Sequence, residues 1–433
     1  MAAVIAGPSR KISAIERGQQ KELEATRRIS AGGDSIFGER SLDHPTSDLD
    51  TLVHLVKGSL GAGILAMPLA FKNAGLSFGL VATFFIGFIC THCVHILVTT
   101  AHGLCRTHRI PSLTYGGVAE AAFLNGPKSL RKFCTVAGRT ADTSVLDVWT
   151  SSHFPERGYI ALTAVFILVL CYIRNLRYLS PLSLLSNVLI LGSLGICVYY
   201  FVQDLPPAST RPDFSSWAQL PNFFSTAVFA LEGIGVIMPL ENNMKDPTNF
   251  TGCFRVLNTG MCVVISMYCA VGFYGYLKYG DIVKGSITLN LPEGEVLAQA
   301  SKLMVAMAVC FTYPLQMYVP VHMCWPGITR RLGWNEIEWR GPFQPEHVFR
   351  FCCVLFTACL ALAIPELDAL MSLIGAICLS AAGIIFPAVI QTVYRHDTLG
   401  PFKWILLKNS AIILFGLVGM VTGVYTSILQ LAR

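Results

Sequence analysis

The chain has 433 residues, of which 53% are hydrophobic and 13% charged, with a mean hydropathy of +0.56. Those proportions exclude a soluble enzyme of this size and put the chain in a lipid bilayer. The net charge of +6 is gathered in the amino-terminal tail and in alternate loops, as the positive-inside rule expects, so nucleic acid is not an expected partner.

Residues 1–50 carry Arg10, Lys11, Arg17, Lys21, Arg27, Arg28 and Arg40 with no apolar run. They are expected to form a cytoplasmic, largely disordered tail that can recruit cytoplasmic partners, with no cleavable signal peptide. Residues 51–433 are expected to form one transmembrane domain. Apolar stretches of spanning length, roughly 17 to 25 residues, are read near 52–70, 75–98, 158–173, 179–201, 222–240, 256–277, 297–320, 348–364, 368–393 and 404–430.

The first and fifth of these stretches contain glycine clusters that end in one shared phrase. Gly58, Gly61 and Gly63 lead into Met67-Pro68-Leu69, and Gly233 and Gly235 lead into Met238-Pro239-Leu240. Glycines at that spacing let the backbone leave the helix, which inside a bilayer survives only where it lines a cavity or binds a ligand. The alternative is helix–helix packing by small residues.

After the second span, the loop 99–132 is basic, and its middle, Leu113 to Leu124, is expected to form a short surface helix. The charge of the later loops then creates a conflict. Basic residues Arg174, Arg177, Lys245, Arg255, Arg330, Arg331, Arg340, Arg395 and Lys403 alternate with loops holding only Arg211, Lys278 and Lys284. That alternation requires one more crossing before 158–173, and only 133–157 could supply it. This stretch carries Arg139, Asp142, Asp147, His153, Glu156 and Arg157, and a central charge costs about 2.5–3.5 kcal/mol even on the insertion scale. It is read as a polar insert that does not span. With four spans before residue 222, the two broken helices would run parallel to each other, and the inverted relation between them would be lost.

Glu232, in the second glycine cluster, is the only carboxylate read as interior to a span. It is a coupling or gating acid, a fixed anion for a substrate's ammonium, or a cap for backbone N–H groups freed by its own break. His54 lies one turn before Lys57 at the start of the first span; His92 and His95 lie in the second. Imidazole suits proton handling, although a histidine at a helix end is more often an interfacial anchor. Ser59, Thr226, Phe229, Tyr268 and Tyr274 are placed near the breaks and could line or close a cavity.

No lipase-type serine motif, zinc-protease helix, phosphate-binding loop or pair of carboxylates in one span occurs, so no enzyme activity is expected. The 15 cysteines show no doubled CxxC…CxxC of zinc spacing and are read as packing residues. No metal and no cofactor is expected. Asn249-Phe250-Thr251 fits the glycosylation sequon, which the expected topology puts on the cytoplasmic side, unused.

Several motifs occur in order: Thr51-Leu-Val-His54-Leu-Val-Lys57-Gly-Ser-Leu-Gly-Ala-Gly63, Phe71-Lys-Asn-Ala-Gly75, Phe229-Ala-Leu-Glu232-Gly-Ile-Gly235, Pro239-Leu-Glu-Asn242 and Gly285-Ser-Ile-Thr-Leu-Asn-Leu-Pro292. By these the chain resembles the proton-coupled amino-acid transporters of the amino acid/auxin permease group, over nearly everything from Thr51 onward except 133–157. The resemblance implies eleven spans with a cytoplasmic amino terminus, the first ten forming two inverted five-helix repeats, and it implies that His54 is needed for proton-driven transport.

The expected fold is therefore an all-α integral membrane protein, an inverted-repeat transporter with discontinuous helices and one span lacking. The expected function is proton-coupled symport of small neutral amino acids across a lysosomal, endosomal or plasma membrane. Gly58, Ser59, Gly61, Gly63, Phe229, Gly233 and Gly235 are the candidate substrate contacts, and His54 and Glu232 the candidate proton sites. Two other readings stand beside it: an amino-acid sensor or scaffold acting through the tail, and an isoform inactivated by its missing span.

Overall fold

In the computed structural model the described residues are 45–127, 176–231, 233–252, 254–332, 345–363, 367–400 and 403–431, with Leu130, Ile167, Leu168 and Cys171. The tail 1–44, the polar stretch 133–157 and Glu232 lie outside them, as does most of 158–173.

Helix α1 (Asp48–Ser59) starts at a capping box. The Asp50 amide donates to Ser47 Oγ at 3.2 Å, and Asp50 Oδ2 accepts from the Ser47 amide at 3.3 Å, which satisfies two of the donors a helix start leaves open. After the break, a 3-10 turn (Ala62–Ala66) leads into α2 (Met67–Ala74). Gly75 then turns the chain with φ of 95°, in a position where a side chain would collide with the Phe214 backbone at 2.6 Å.

Helix α3 (Leu76–His108) is next. It runs past the expected end at 98, and at roughly 1.5 Å per residue it is about 50 Å long, so its last turns reach beyond a hydrocarbon core of about 30 Å. Arg109, in the left-handed conformation, stops it by donating its amide to Cys105. Helix α4 (Tyr115–Asn125) matches the expected short helix, but it is held by packing: Val118, Ala119 and Ala122 are buried, and the Tyr115 hydroxyl donates to the Ala382 carbonyl at 2.7 Å.

Helix α5 (Leu176–Val202) precedes the second broken helix, formed by α6 (Leu220–Ala230) and α7 (Ile234–Asn242). Then come α8 (Val256–Tyr279) and α9 (Val296–Leu332), the latter continuing past its expected end at 320. Helix α10 (Pro345–Ala363) follows. Helices α11 (Leu367–Ile374) and α12 (Phe386–Tyr394) enclose a π-helical stretch, Gly375–Ile385, and α13 (Trp404–Leu431) closes the described fold. Among the described residues six helices are long and apolar enough to cross a membrane, or seven if the bent α1–α2 pair counts as one.

The outer surface is apolar at helical spacing. On α3, Val81, Phe84, Phe85 and Phe88 are exposed, and on α13 Leu414, Val418, Val421 and Tyr425. A row of that kind suits lipid tails rather than water.

The loops sort into two faces. On face A the Leu76 amide donates to the Pro212 carbonyl, the Ser215 amide to Ala74, and Arg211 Nε to the Leu277 carbonyl. Face B gathers the start of α1 with the end of α7: the Thr46 amide donates to the Asn243 carbonyl at 2.9 Å, the Lys245 amide to Thr46 at 3.0 Å, and Asn249 Nδ2 to Asp48 Oδ2 at 3.0 Å.

The first broken helix thus begins where the second ends, and ends where the second begins. The two run antiparallel, with α1 against α7 and α2 against α6. This corrects the expectation of a parallel pair, which rested on counting the crossings before residue 222. The inverted relation between the two breaks is present.

Candidate functional site

The two breaks meet. A Cβ at Gly63 would lie 2.9 Å from Ala230 Cα, and one at Gly233 would lie 2.7 Å from Ser59 Oγ. Each gap is closed by the other helix's break, so neither position has room for a methyl group, and glycine is required by close approach.

The polar groups freed by the first break are only partly satisfied. The Ser59 carbonyl, at the end of α1, accepts from the buried Tyr268 hydroxyl of α8 at 2.8 Å, one of the orphan acceptors a helix end leaves. Ser59 Oγ is buried without a hydrogen-bond partner. Phe229, on α6, packs against the start of the π-helical stretch, where a Cβ at Gly375 would lie 3.0 Å from its own Cβ and 2.0 Å from the Ser225 carbonyl. A third irregular helix therefore touches the second break, and π geometry frequently marks functional sites. Ser372 Oγ, just before it on α11, is also buried and unpaired.

The other expected contacts lie on a different side of α1. His54 and Gly58, four residues apart and so on one face, are exposed, and Gly61 has open space where a side chain would be. Gly235 sits in the first turn of α7, half-buried. Ser59, Gly63, Phe229 and Gly233 are thus drawn together at the apposed breaks, while His54, Gly58 and Gly61 line an open flank of the same broken helix.

Two ionisable clusters escaped the reading of the sequence. Glu241 in α7 is 1% exposed, and its Oε1 lies 2.8 Å from His102 Nε2 of α3. Glu241 stands one residue past the expected end of its span, outside the stretch read as interior. The second cluster is Lys408, on α13, whose Nζ lies 3.1 Å from His92 Nε2 and 3.2 Å from Gln391 Oε1. His92 and His95 line a cavity of about 430 Å³ between α3 and α8, with Thr91, Asn258 and Phe88 also in its wall. An ionisable side chain taken out of water needs a partner, and both clusters supply one. A lysine and a glutamate in apolar segments were signals available in the sequence; their partners were not.

Residues 44–429 match, as a single stretch, the family described as "Transmembrane amino acid transporter protein". The chain is 39% identical over 438 residues to the "Proton-coupled amino acid transporter-like protein pathetic" of Drosophila melanogaster, covering 96% of this chain and 92% of that protein. It is 28% identical over 418 residues to the "Amino acid transporter AVT3B" of Arabidopsis thaliana, covering 89% and 94%.

Proposed function

We propose a specific activity for a chain that belongs to the transmembrane amino acid transporter family: proton-coupled symport of small neutral amino acids by alternating access around the two breaks. As a family member it is a multi-pass membrane transporter and not an enzyme. The observation that carries the proposal is the apposition of two antiparallel helix breaks, with Gly63 on Ala230 and Gly233 on Ser59.

A zwitterion needs donors for its carboxylate and acceptors for its ammonium, and broken helices offer both from the backbone. In this conformer the breaks close on each other, so substrate entry requires them to part. Ser59 Oγ, buried and unpaired here, would then gain a ligand as its partner. Gly58 and Gly61 would admit the ligand's backbone-like end from the open flank of α1, and Phe229 and Gly235 would close it from the second broken helix.

Proton coupling comes to this chain from the name of its Drosophila relative. His54, exposed nearly two turns into α1, and Glu232, at the second break, are the proposed proton sites. A proton bound there would favour the loaded conformer, and an inward proton gradient would drive accumulation.

Face B carries the more basic loops, with Arg106, Arg109, Lys245, Arg255, Arg395 and Lys403 against Arg211, Lys278 and Lys284 on face A. By the positive-inside rule face B is cytoplasmic, and so is the amino terminus. The membrane is proposed to be lysosomal, endosomal or plasma membrane, where the far side can be acidic.

The test is uptake of alanine, glycine and proline into proteoliposomes under an imposed pH gradient. Uptake should rise with external acidity and collapse with a protonophore. Uptake indifferent to pH would leave an amino-acid transporter without the coupling; no uptake of these three would remove the substrate class.

A further inference from the structure

Beyond the transport path, face B holds a cavity of about 330 Å³ that the activity above does not use. Three separate parts of the chain build it: the last turns of α3 contribute His102 and Arg106, the loop after α7 contributes Thr248 and Thr251, and the end of α12 contributes Tyr394 and Arg395.

Its chemistry has one sign. Two guanidinium groups, four hydroxyls (Thr99, Thr248, Thr251 and Tyr394) and an imidazole line the space, and no carboxylate does. The nearby Glu241 is turned inward, 1% exposed, with its Oε1 on His102 Nε2. A zwitterionic amino acid would find cations for its carboxylate but no anion among the lining side chains for its ammonium. A phosphate monoester, with several oxygens and no cation, matches guanidinium forks and hydroxyl donors. Gly103 lets the Tyr394 hydroxyl pack closely against α3 at the cavity wall, since a Cβ there would lie 2.4 Å from that oxygen.

The height of the cavity limits where the phosphate comes from. It sits where α3 has outrun the hydrocarbon core and among the basic loops of face B. Basic pockets between helices at that level bind phosphorylated lipid headgroups. We propose that this cavity is a binding site for a phosphate-bearing anion, supplied by the headgroup of a phosphorylated inositol lipid in the leaflet at face B. The site is independent of which amino acid the protein carries. Because it joins α3 to the loop after α7 and to α12, a bound headgroup ties the second broken helix to its neighbours.

The full chain is reconstituted in nanodiscs of phosphatidylcholine doped with a phosphatidylinositol bisphosphate, and the lipid retained after extraction into detergent is measured by mass spectrometry. The wild type should keep the bisphosphate lipid over phosphatidylcholine, and the double variant Arg106→Gln, Arg395→Gln should keep at least tenfold less. Lys403→Gln, a cation on the same face outside the cavity, should retain it as the wild type does. Equal retention by the double variant, or an equal loss in Lys403→Gln, would overturn the site in favour of diffuse surface charge. Should the double variant aggregate, Thr248→Val with Thr251→Val tests the hydroxyl wall, and unchanged retention there would also overturn it. Soluble inositol trisphosphate or inorganic phosphate stabilising the protein as strongly as the lipid would keep the phosphate site and overturn its assignment to a membrane headgroup.

Discussion

Nε2 of His102 lies 2.8 Å from Oε1 of Glu241, and this pair pins the long helix α3 to the carboxy-terminal half of the second broken helix. The carboxylate is 1% exposed, so losing the imidazole takes a hydrogen-bond partner from a buried acid. Breaking a buried pair from one side costs about 3–5 kcal/mol. His102→Ala and Glu241→Ala should each lower the unfolding free energy by about that amount. The double variant should cost less than the sum, with a coupling of about 1.5–3 kcal/mol. A thermodynamic cycle from denaturant unfolding in detergent measures it, and additive losses would mean the two groups do not interact.

The Tyr268 hydroxyl reaches the Ser59 carbonyl across from α8 to the end of α1. Tyr268→Phe keeps the ring and removes the donor, leaving a buried acceptor at the first break without this hydrogen bond. The cost is about 1–3 kcal/mol. The variant should unfold at lower temperature and should lose transport rate rather than substrate affinity, because the break is held less firmly. An unchanged melting temperature would show that another donor takes over at Ser59.

Much of this arrangement could be read in the chain itself. The doubled glycine clusters located both breaks because only glycine tolerates the close approach found at Gly63 and Gly233. The alternation of basic loops separated face A from face B, and the short helix within the basic loop 99–132 was legible, though as a surface helix rather than the buried one found. The relative direction of the broken helices was not, because it hung on the number of crossings before α6, and the charges of 133–157 read as a segment that stays out of the bilayer. Nor was the contact of His102 with Glu241, which joins positions 139 residues apart; periodicity reports which face of a helix is apolar and says nothing of which polar side chains meet. Helix ends were misjudged where hydropathy fades before hydrogen bonding does, as in α3 beyond 98 and α9 beyond 320.

Two glycines that look alike in sequence should respond differently to alanine. At Gly63 the added methyl meets the Cα of Ala230, which is backbone and cannot step aside; at Gly233 it meets the side-chain oxygen of Ser59. Overpacking of this sort costs about 1–3 kcal/mol. Gly233→Ala should therefore be rescued by Ser59→Ala, which deletes the clashing oxygen and leaves a contact near 3.6 Å. Gly63→Ala should not be rescued by Ala230→Gly, since the offending Cα remains. Thermal stability of the four variants decides it, since Ser59 is also a proposed substrate contact and its loss would lower uptake on its own; failure of the Ser59 rescue would mean the breaks do not meet as described.

The antiparallel pair makes a claim about sidedness that labelling can read directly. Thr210, beside the start of α6, belongs to face A, and Lys245, just past the end of α7, belongs to face B through its hydrogen bond to Thr46. In a cysteine-free background, Thr210→Cys and Lys245→Cys should react with an impermeant maleimide from opposite sides of a sealed membrane. The sequon at Asn249 lies on face B, where Asn249 is bonded to Asp48. With face B cytoplasmic it should carry no glycan when the chain is made in a glycosylating cell. Labelling of Thr210→Cys and Lys245→Cys from the same side would break the inverted relation between the two helices, since a single broken helix separates the two positions and must carry the chain from one face to the other. Opposite labelling with a glycan on Asn249 would keep the architecture and reverse its orientation, moving the amino terminus and the basic cavity to the far side of the membrane.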